Sequence, residues 1–207
     1  MILEYAELLD KKIDEIEYCV FDIESTGVNP FDGDRIVEIG AVKIKKGFAI
    51  DRKNKFHILV NPGIPIPDKA KNIHGITDDD VVNAPDECEA YYKFIEYSKG
   101  CVPVAHNAKK DMAFLRRISK EYMIREPFDF ILDTLTISRK VNLLDKYHNL
   151  DALIEKYNVK IKSNFKRHRA LYDAEATSVV FKIMMNWINE NYKFSLIELF
   201  QFLDMRI

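Results

Sequence analysis

Two acidic residues interrupt an apolar run near the start of the chain. The run from Tyr18 to Phe21 is β-branched and aromatic, as in a buried strand, and Asp22 and Glu24 lie at its end. Side chains two apart in a strand point to the same face, so these carboxylates should lie side by side. Such a pair repels and is costly to desolvate. A hard divalent cation, Mg²⁺ or Mn²⁺, would offset both costs.

The pair alone has an ordinary explanation, because acidic residues are common in this chain and a solvated sheet edge would hold them without a metal. Matching acids further along strengthen the metal hypothesis. Asp111 lies in the first turn of a predicted helix, where the helix dipole favours an acid. The alternative is that the preceding strand end points this turn at Asp22 and Glu24. Asp173 lies at the core-facing start of the last long predicted helix.

One histidine stands near this last acid. His168 precedes Asp173 by five residues, and on a continuous helix the two would lie on different faces, so we expect His168 on the loop before the helix. A lone histidine is usually a surface or packed residue. Here it is flanked by Lys166, Arg167 and Arg169, a small cationic cluster beside an acid.

Composition sets the limits for the whole chain. Its 207 residues are 47% hydrophobic and 31% charged, which suits one globular domain. A net charge of −2 gives no overall basic field, so any contact with a polyanion must be local. The three cysteines lack close metal-type spacing, and we expect a reducing, cytoplasmic location. No signal peptide or membrane-spanning run is apparent, so no membrane partner is expected.

Hydrophobic periodicity predicts a mixed α/β sheet of five strands with helices on its faces. A hairpin near Gly47 and residues 51–54 should join the second and third strands. The first strand is expected to begin at Tyr18, carry Asp22 and Glu24 and stop at Gly27. The other strands are expected over 35–44, in a segment ending at Val60, and over 102–105 and 130–132. Helices are expected over 2–15, 78–81, 90–97, 109–122, 134–141, 149–157, 170–190 and 195–204. The last of these should pack on the core or meet a partner.

Two local assignments have competing explanations. Residues 73–77 read as an apolar loop with one histidine, either a packed surface loop or a wall of a binding cleft. Thr77 can cap the short helix that follows. Asp133 could be catalytic, but an N-cap of the next helix is the favoured interpretation.

Four carboxylates and a histidine could act together at the strand ends, where ligands gather in such sheets. Four acids can hold two divalent ions roughly 3.5–4 Å apart, which clamp both oxygens of an in-line phosphoryl displacement. Histidine is the natural base to take a proton from water. Since no nucleophile elbow, P-loop or Rossmann glycine pattern is present, a phosphodiesterase is more coherent than a serine or cysteine hydrolase.

Several segments resemble a known family. Residues 21–27, 105–115 and 168–177 are similar to the three exonuclease motifs of the DEDDh, or DnaQ-like, family, which includes the proofreading epsilon subunit of bacterial DNA polymerase III. Residues 35–44, 61–67 and 73–81 are similar to the exonuclease domain of PolC-type polymerases. The resemblance covers roughly residues 18–185, and the motifs are specific only in combination.

This resemblance implies a ribonuclease H-like fold and a 3′→5′ exonuclease. It implies two divalent metal ions, Mg or Mn, held by four ligands, and a general base. The ligands are Asp22, Glu24, Asp111 and Asp173, and the base is His168. Substrate contacts are implied for Ser25, Thr26, Gly27, Ile73, His74, Asn107 and Lys110.

Two positions depart from the family pattern. Lys110 stands where members usually carry Phe, so contact with bases should be weaker and contact with phosphate stronger. Ser25 replaces the usual Thr, a milder change.

We therefore expect an enzyme that acts on single-stranded DNA 3′ ends and releases nucleoside monophosphates, with proofreading as its role and a replicative polymerase as a candidate partner. An enzyme that trims RNA or short oligonucleotides is the alternative within this class. A non-catalytic module that binds nucleic acid or scaffolds a polymerase is the alternative from another class.

Overall fold

Five strands form one mixed sheet in the computed structural model, which describes residues 7–161 and 164–205. The spatial order is β3-β2-β1-β4-β5. The first three strands pair antiparallel, while β4 and β5 run parallel to β1. The bounds are β1 Tyr18–Ser25, β2 Ile36–Lys45, β3 Ala49–Leu59, β4 Val102–Ala105 and β5 Leu132–Asp133. The predicted mixed five-stranded sheet is confirmed.

Helices cover both faces of this sheet. The bounds are α1 Asp68–His74, α2 Asp78–Val81, α3 Glu87–Ser98, α4 Lys109–Glu121, α5 Thr134–Val141, α6 Leu150–Lys156, α7 Ala170–Tyr192 and α8 Leu196–Phe202. The helix α7 packs on one face, and α3 and α4 pack on the other. No helix in the described ranges has the length and apolar character needed to cross a membrane.

The alternation of β1 decides which face carries its acids. Tyr18 and Val20 are buried in the cluster that contains α7, whereas Cys19 and Phe21 are buried against α3 and α4. Because strand side chains alternate with a period of two, the next even-numbered positions also face α7. Asp22 and Glu24 are therefore presented to the helix that carries Asp173.

The start of α7 lies directly on the backbone of β2. A Cβ at Gly40 would come within 2.2 Å of the Leu171 nitrogen and 2.4 Å of the Ala170 carbonyl carbon. These are backbone atoms, which cannot move aside as a flexible side chain can. Only glycine allows this approach, and the approach sets the height of Asp173 above the sheet.

We therefore expect Gly40→Ala to displace the start of α7. Overpacking of this kind costs typically about 1–3 kcal/mol, equivalent to a fall of roughly 2–12 °C in melting temperature for a chain of this size. Thermal unfolding followed by circular dichroism measures it. Gly33→Ala is the control, because Gly33 has no atom within 4 Å of an added Cβ although its positive φ adds some strain of its own. An unchanged melting temperature for Gly40→Ala would contradict the close contact.

Four predicted elements differ from the structure by more than the position of a helix end. Within the predicted helix 2–15, residues 2–6 lie outside the described residues, and the helix does not continue to residue 15. Lys12 instead forms a bridge with Ser195, the Ile13 amide donates to the Phe194 carbonyl, and Ile13–Glu15 is a single 3₁₀ turn. Contacts with a distant segment have replaced the local helical hydrogen bonds.

The other three differences are also local. Ile73 and His74 end α1 rather than forming a loop, and Gly75, at φ 74°, terminates this helix. The turn after β2 lies at Lys46–Phe48, so residues 51–54 belong to β3 and not to a hairpin turn. The fifth strand is Leu132–Asp133, shifted from 130–132.

The terminal helix packs on the core. Leu196, Leu199, Phe200 and Leu203 are buried among side chains of α7 and β1. The first of the two alternatives for this helix therefore holds in the structure.

Candidate active site

Three carboxylates converge where β1 meets the start of α7. One oxygen from each of Asp22, Glu24 and Asp173 lies within 4.8 Å of the others. The two strand acids reach this point because they share a face, and Asp173 reaches it because α7 packs closely on β2. Residues distant in sequence thus form one acidic cluster, which we define as Asp22, Glu24 and Asp173.

Asp111 approaches this cluster from α4. The pairing of β4 with β1 ends at Val20, which leaves the amide of Ile23 without a strand partner on that side. Asp111 Oδ1 accepts a hydrogen bond from this amide at 3.1 Å, and Asp111 is buried. Of the two explanations for Asp111, the structure supports the one in which the turn after β4 points it toward strand β1.

Burial and mutual repulsion disfavour the charged forms of these acids. The pKa of Asp22 is raised by burial and by the charges of Asp111, Glu24 and Asp173. Burial, followed by Asp173, raises the pKa of Glu24 to about 8. Burial likewise raises the pKa values of Asp111 and Asp173 to about 7. A cation of high charge would reverse this balance by stabilising the ionised carboxylates.

The residues present fit such a cation. Asp173 Oδ1 is buried and has no hydrogen-bond partner among the residues that the structure describes. The other oxygen of Asp173 forms an ion pair with Arg167. A set of carboxylate oxygens without sulfur or nitrogen ligands suits a hard divalent ion. The acidic cluster therefore supports a divalent metal site, in agreement with the prediction.

The raised pKa values make metal-free stability depend on pH. An acid whose folded-state pKa exceeds its unfolded value binds protons more tightly when folded, so its contribution to stability is lost as pH rises between the two values. For Glu24 that window runs from 4.5 to about 8. We expect the melting temperature of the metal-free chain to fall across this range.

A divalent metal should reverse that loss. At a concentration 100 times its Kd, Mg²⁺ or Mn²⁺ adds about 2.7 kcal/mol, or roughly 5–10 °C. Thermal unfolding at pH 5 and pH 8, with chelator or with metal, measures both effects. Equal stabilisation of wild type and Asp22→Asn by the metal would contradict binding at the acidic cluster.

His168 lies on the turn before α7, as predicted. It is exposed, its φ is 65°, and its Nδ1 is 3.5 Å from Arg167 Nη1. Burial and the charge of Arg167 lower the pKa of His168 below its usual value, so its neutral form is favoured at neutral pH. Its place on the turn that leads into α7, next to Arg167, which pairs with Asp173, is compatible with a base, a role that stays a prediction.

The turn after β1 is held by its own side chains. Thr26 is buried, and its Oγ1 accepts from the Arg35 amide at 3.0 Å and donates to Asp34 at 3.2 Å. Ser25 Oγ donates to the Gly27 carbonyl at 2.5 Å. A Cβ on Gly27 would lie 2.3 Å from the Asp34 carboxylate. These contacts give the predicted substrate-binding turn a defined shape.

The remaining predicted substrate contacts differ in exposure. Lys110 is exposed and Ile73 is half-exposed. His74 is buried, and its Nδ1 accepts from the Ile76 amide at 3.0 Å. The backbone N–H of Asn107, whose φ is 59°, donates a hydrogen bond to Asp133 Oδ1 at 2.8 Å. Their contacts with substrate stay predictions.

Asp133 is the N-cap of α5, as favoured from the sequence. Its Oδ1 accepts from the Leu135 amide at 2.9 Å as well as from Asn107. The same carboxylate therefore shapes the turn after β4, from which α4 carries Asp111.

Sequence reasoning missed two acids around the site, Glu38 and Asp151, and did not predict the ion pairs that Arg167 and Arg169 form with acids. Arg167 bridges Asp173 and Asp151, with 2.6 Å between its Nε and Asp151 Oδ1. Glu38 is fully buried in β2 and pairs with Arg169. A single acid inside the otherwise apolar strand was a signal for Glu38, whereas Asp151 carried no signal of its own.

Comparison with known proteins identifies the family. The exonuclease family model RNase_T matches residues 19–181. A DNA polymerase III subunit epsilon-like protein of Rhodobacter capsulatus is 41% identical over 177 residues, which are 85% of this chain and 25% of that protein. A PolC-type DNA polymerase III of Caldanaerobacter subterraneus subsp. tengcongensis is 40% identical over 176 residues, 85% of this chain and 12% of that protein. The chain spans a quarter or less of these relatives.

Solved structures share the fold. Exonuclease X in complex with 5′ overhanging duplex DNA has a TM-score of 0.67 at 25% identity, covering 90% of this chain and 99% of that one. The nuclease domain of 3′hExo, a DEDDh family member bound to rAMP, has a TM-score of 0.72 at 18% identity, covering 85% and 94%. Because this family model matches most of the chain, the chain belongs to the RNase_T exonuclease family.

Proposed function

We propose that this chain hydrolyses phosphodiester bonds at the 3′ ends of single-stranded DNA and releases nucleoside monophosphates. The observation that carries the proposal is the acidic cluster, three carboxylates within 4.8 Å of one another, with Asp111 beside it. A purely structural role does not explain it, because such crowding is costly without a cation.

The four acids would hold two divalent ions, which stabilise the charge on the scissile phosphate and activate water when bound. His168 would accept the proton of the attacking water. Its lowered pKa keeps it neutral, and therefore able to accept a proton, at neutral pH. Lys109 and Lys110 are exposed at the start of α4, beside the Asp111 turn, and can attract the phosphate backbone.

The preference for DNA and the proofreading role are supported by relatives. Those described above are named as DNA polymerase III proteins, and a similar structure was solved with DNA. Because these relatives are named as DNA polymerase III proteins, we infer that a replicative polymerase is a partner of this chain.

A time course on labelled strands tests polarity and metal use together. A 3′→5′ exonuclease releases a 3′ label at once as a mononucleotide, whereas a 5′ label moves down a ladder of shortening products. Reactions contain Mg²⁺, Mn²⁺ or chelator, and we expect no cleavage with chelator. A matched RNA strand tests the sugar preference, and a circular single strand tests the need for an end.

Two outcomes would overturn the proposal. Cleavage of the circular strand would indicate an endonuclease. Binding without cleavage in Mn²⁺ would favour the non-catalytic module. Faster digestion of RNA than of DNA would replace the substrate class and leave the chemistry in place.

A further inference from the structure

Glu38 is a buried carboxylate near the site that belongs neither to the acidic cluster nor to the predicted metal ligands. Glu38 is the third residue of β2, between Val37 and Ile39, and is 0% exposed. It pairs in register with Glu24 of β1, so it lies on the sheet face covered by α7. A buried carboxylate is costly unless its oxygens are satisfied, so its partners indicate what it does.

The partners of Glu38 come from the start of α7 and from β3. Arg169 donates from Nη2 at 2.6 Å and from Nε at 3.1 Å, and the Ala170 amide donates at 2.7 Å. His57 Nε2 is 2.6 Å from the same carboxylate. Although burial raises the pKa of Glu38, these hydrogen bonds lower it overall, which keeps the group ionised. Glu38 thus holds the Arg169 side chain and the Ala170 backbone, which follow His168 directly.

The segment before His168 is tied to the same group of residues. The Arg169 guanidinium lies over the Phe165 ring, 4.7 Å from its centroid. The Phe165 ring in turn contacts His57, with 4.8 Å between centroids. The chain on both sides of His168 therefore contacts partners of Glu38.

His168 itself has an unfavourable backbone conformation. Its φ of 65° lies in the left-handed region, which is unfavourable for a residue other than glycine. Such a conformation persists only where the surroundings hold it. The bidentate Arg169 pair and the bond to the Ala170 amide immediately follow this residue, at the point where the helix must begin.

We propose that Glu38 is a positioning residue that holds the His168 turn in the conformation needed for catalysis. The proposal rests on the proposed function, in which His168 is the base. A base must lie within hydrogen-bond reach of the proton it takes, so a turn that relaxes loses rate without losing substrate affinity. Glu38 touches neither substrate nor reacting atoms in this role and acts through His168.

A double-mutant cycle separates this role from general stabilisation. We expect Glu38→Gln to lower kcat about tenfold with KM changed less than about twofold. In a His168→Ala background the same change should lower kcat less than about twofold, because the group that Glu38 positions is already gone. Equal effects in both backgrounds would overturn the positioning role.

Glu87→Gln is the matched control. Glu87 is also a buried carboxylate, which accepts from the Ile36 amide at 2.7 Å and pairs with Arg117, without a contact to the His168 turn. Its effect on kcat, whatever its size, should be the same in both backgrounds. If the effect of Glu87→Gln on kcat also differed between the two backgrounds as much as that of Glu38→Gln does, lost stability would explain both results. That outcome would overturn the proposal.

Trypsin gives a readout that needs no catalysis. Lys166, Arg167 and Arg169 are cleavage sites within the turn. Glu38→Gln should speed cleavage there in the metal-free chain, and Glu87→Gln should not. If Glu38→Gln fails to fold, Arg169→Gln, which removes the bidentate pair and leaves the other bonds to Glu38, takes its place in both tests, with cleavage then followed at Lys166 and Arg167. Unchanged cleavage for the folded variant would count against the proposal.

The two proposals fail in different ways. A wild-type chain without nuclease activity overturns the proposed function, and the positioning role falls with it. An active chain with additive effects overturns the positioning role alone.

Discussion

Asp22→Asn is expected to reduce hydrolysis by at least about 10³-fold while the chain stays folded. Under the proposed function Asp22 holds a divalent ion, whose stabilisation of the transition state is worth several kcal/mol, and each 1.36 kcal/mol is about tenfold in rate. Asparagine keeps the shape of aspartate but removes the charge that the cation requires. Single-turnover cleavage of a 5′-labelled strand in Mg²⁺ measures the loss.

The same change should stabilise the metal-free chain. Burial and three neighbouring acids raise the pKa of Asp22, so its ionisation is unfavourable in the folded state. Removing the group therefore raises the melting temperature, and the rise is larger at pH 8 than at pH 5. If Asp22→Asn loses activity while its stability is unchanged or higher, Asp22 binds a cation and does not contribute to folding.

Asp32→Asn is the control for this experiment. Asp32 is an exposed acid on the loop after β1, so its replacement should alter neither the rate nor the pH dependence of stability. An Asp22→Asn chain that is folded and fully active would rule out the assigned site.

His168→Ala is expected to reduce kcat by about 10²–10⁴-fold, the usual loss for a general base. In the wild type the rate should rise with pH through the pKa of His168 and then level off, because only the neutral imidazole accepts a proton. Burial and Arg167 lower this pKa, which moves the rising limb below pH 6.5. Rates must therefore be followed down to about pH 5 rather than near neutrality alone.

The variant should lose this limb of the profile as well as its rate. His148→Gln is the control, because His148 is a second histidine, partly buried, whose Nδ1 lies 2.8 Å from Ser138 Oγ on α5, without a contact to the acidic cluster. A wild-type rate that does not change from pH 5 to pH 8 would argue against His168 as the base. A His168→Ala chain with nearly full activity would do the same.

Local patterns were enough to predict most elements and the shared strand face of Asp22 and Glu24. The period-two alternation of β1 placed Asp22 and Glu24 on one face before any contact was known, because strand geometry alone dictates it. The capping of α2 by Thr77 and of α5 by Asp133 was predictable for the same reason, since a cap involves atoms within three residues.

Tertiary structure decided what depends on distant segments. From the sequence, the helix dipole and a metal site explained Asp111 equally well. In the structure the short β4 leaves the Ile23 amide without a strand partner, and this amide donates a hydrogen bond to Asp111. Likewise, Lys12 forms a β-bridge with Ser195 and not the helical hydrogen bonds that the local pattern predicted. Helix propensity depends on nearby residues and cannot indicate this distant partner.

Sequence by itself determined the mixed sheet, the faces of its strands and the residues able to bind a cation. The folded chain determined which of them meet and what holds them. Glu38 and Arg169 are 131 positions apart, and their pairing follows from the packing of α7 on β2 at Gly40. Side-chain periodicity is a property of a few neighbouring residues, whereas the partner of a buried charge depends on which strands and helices come together.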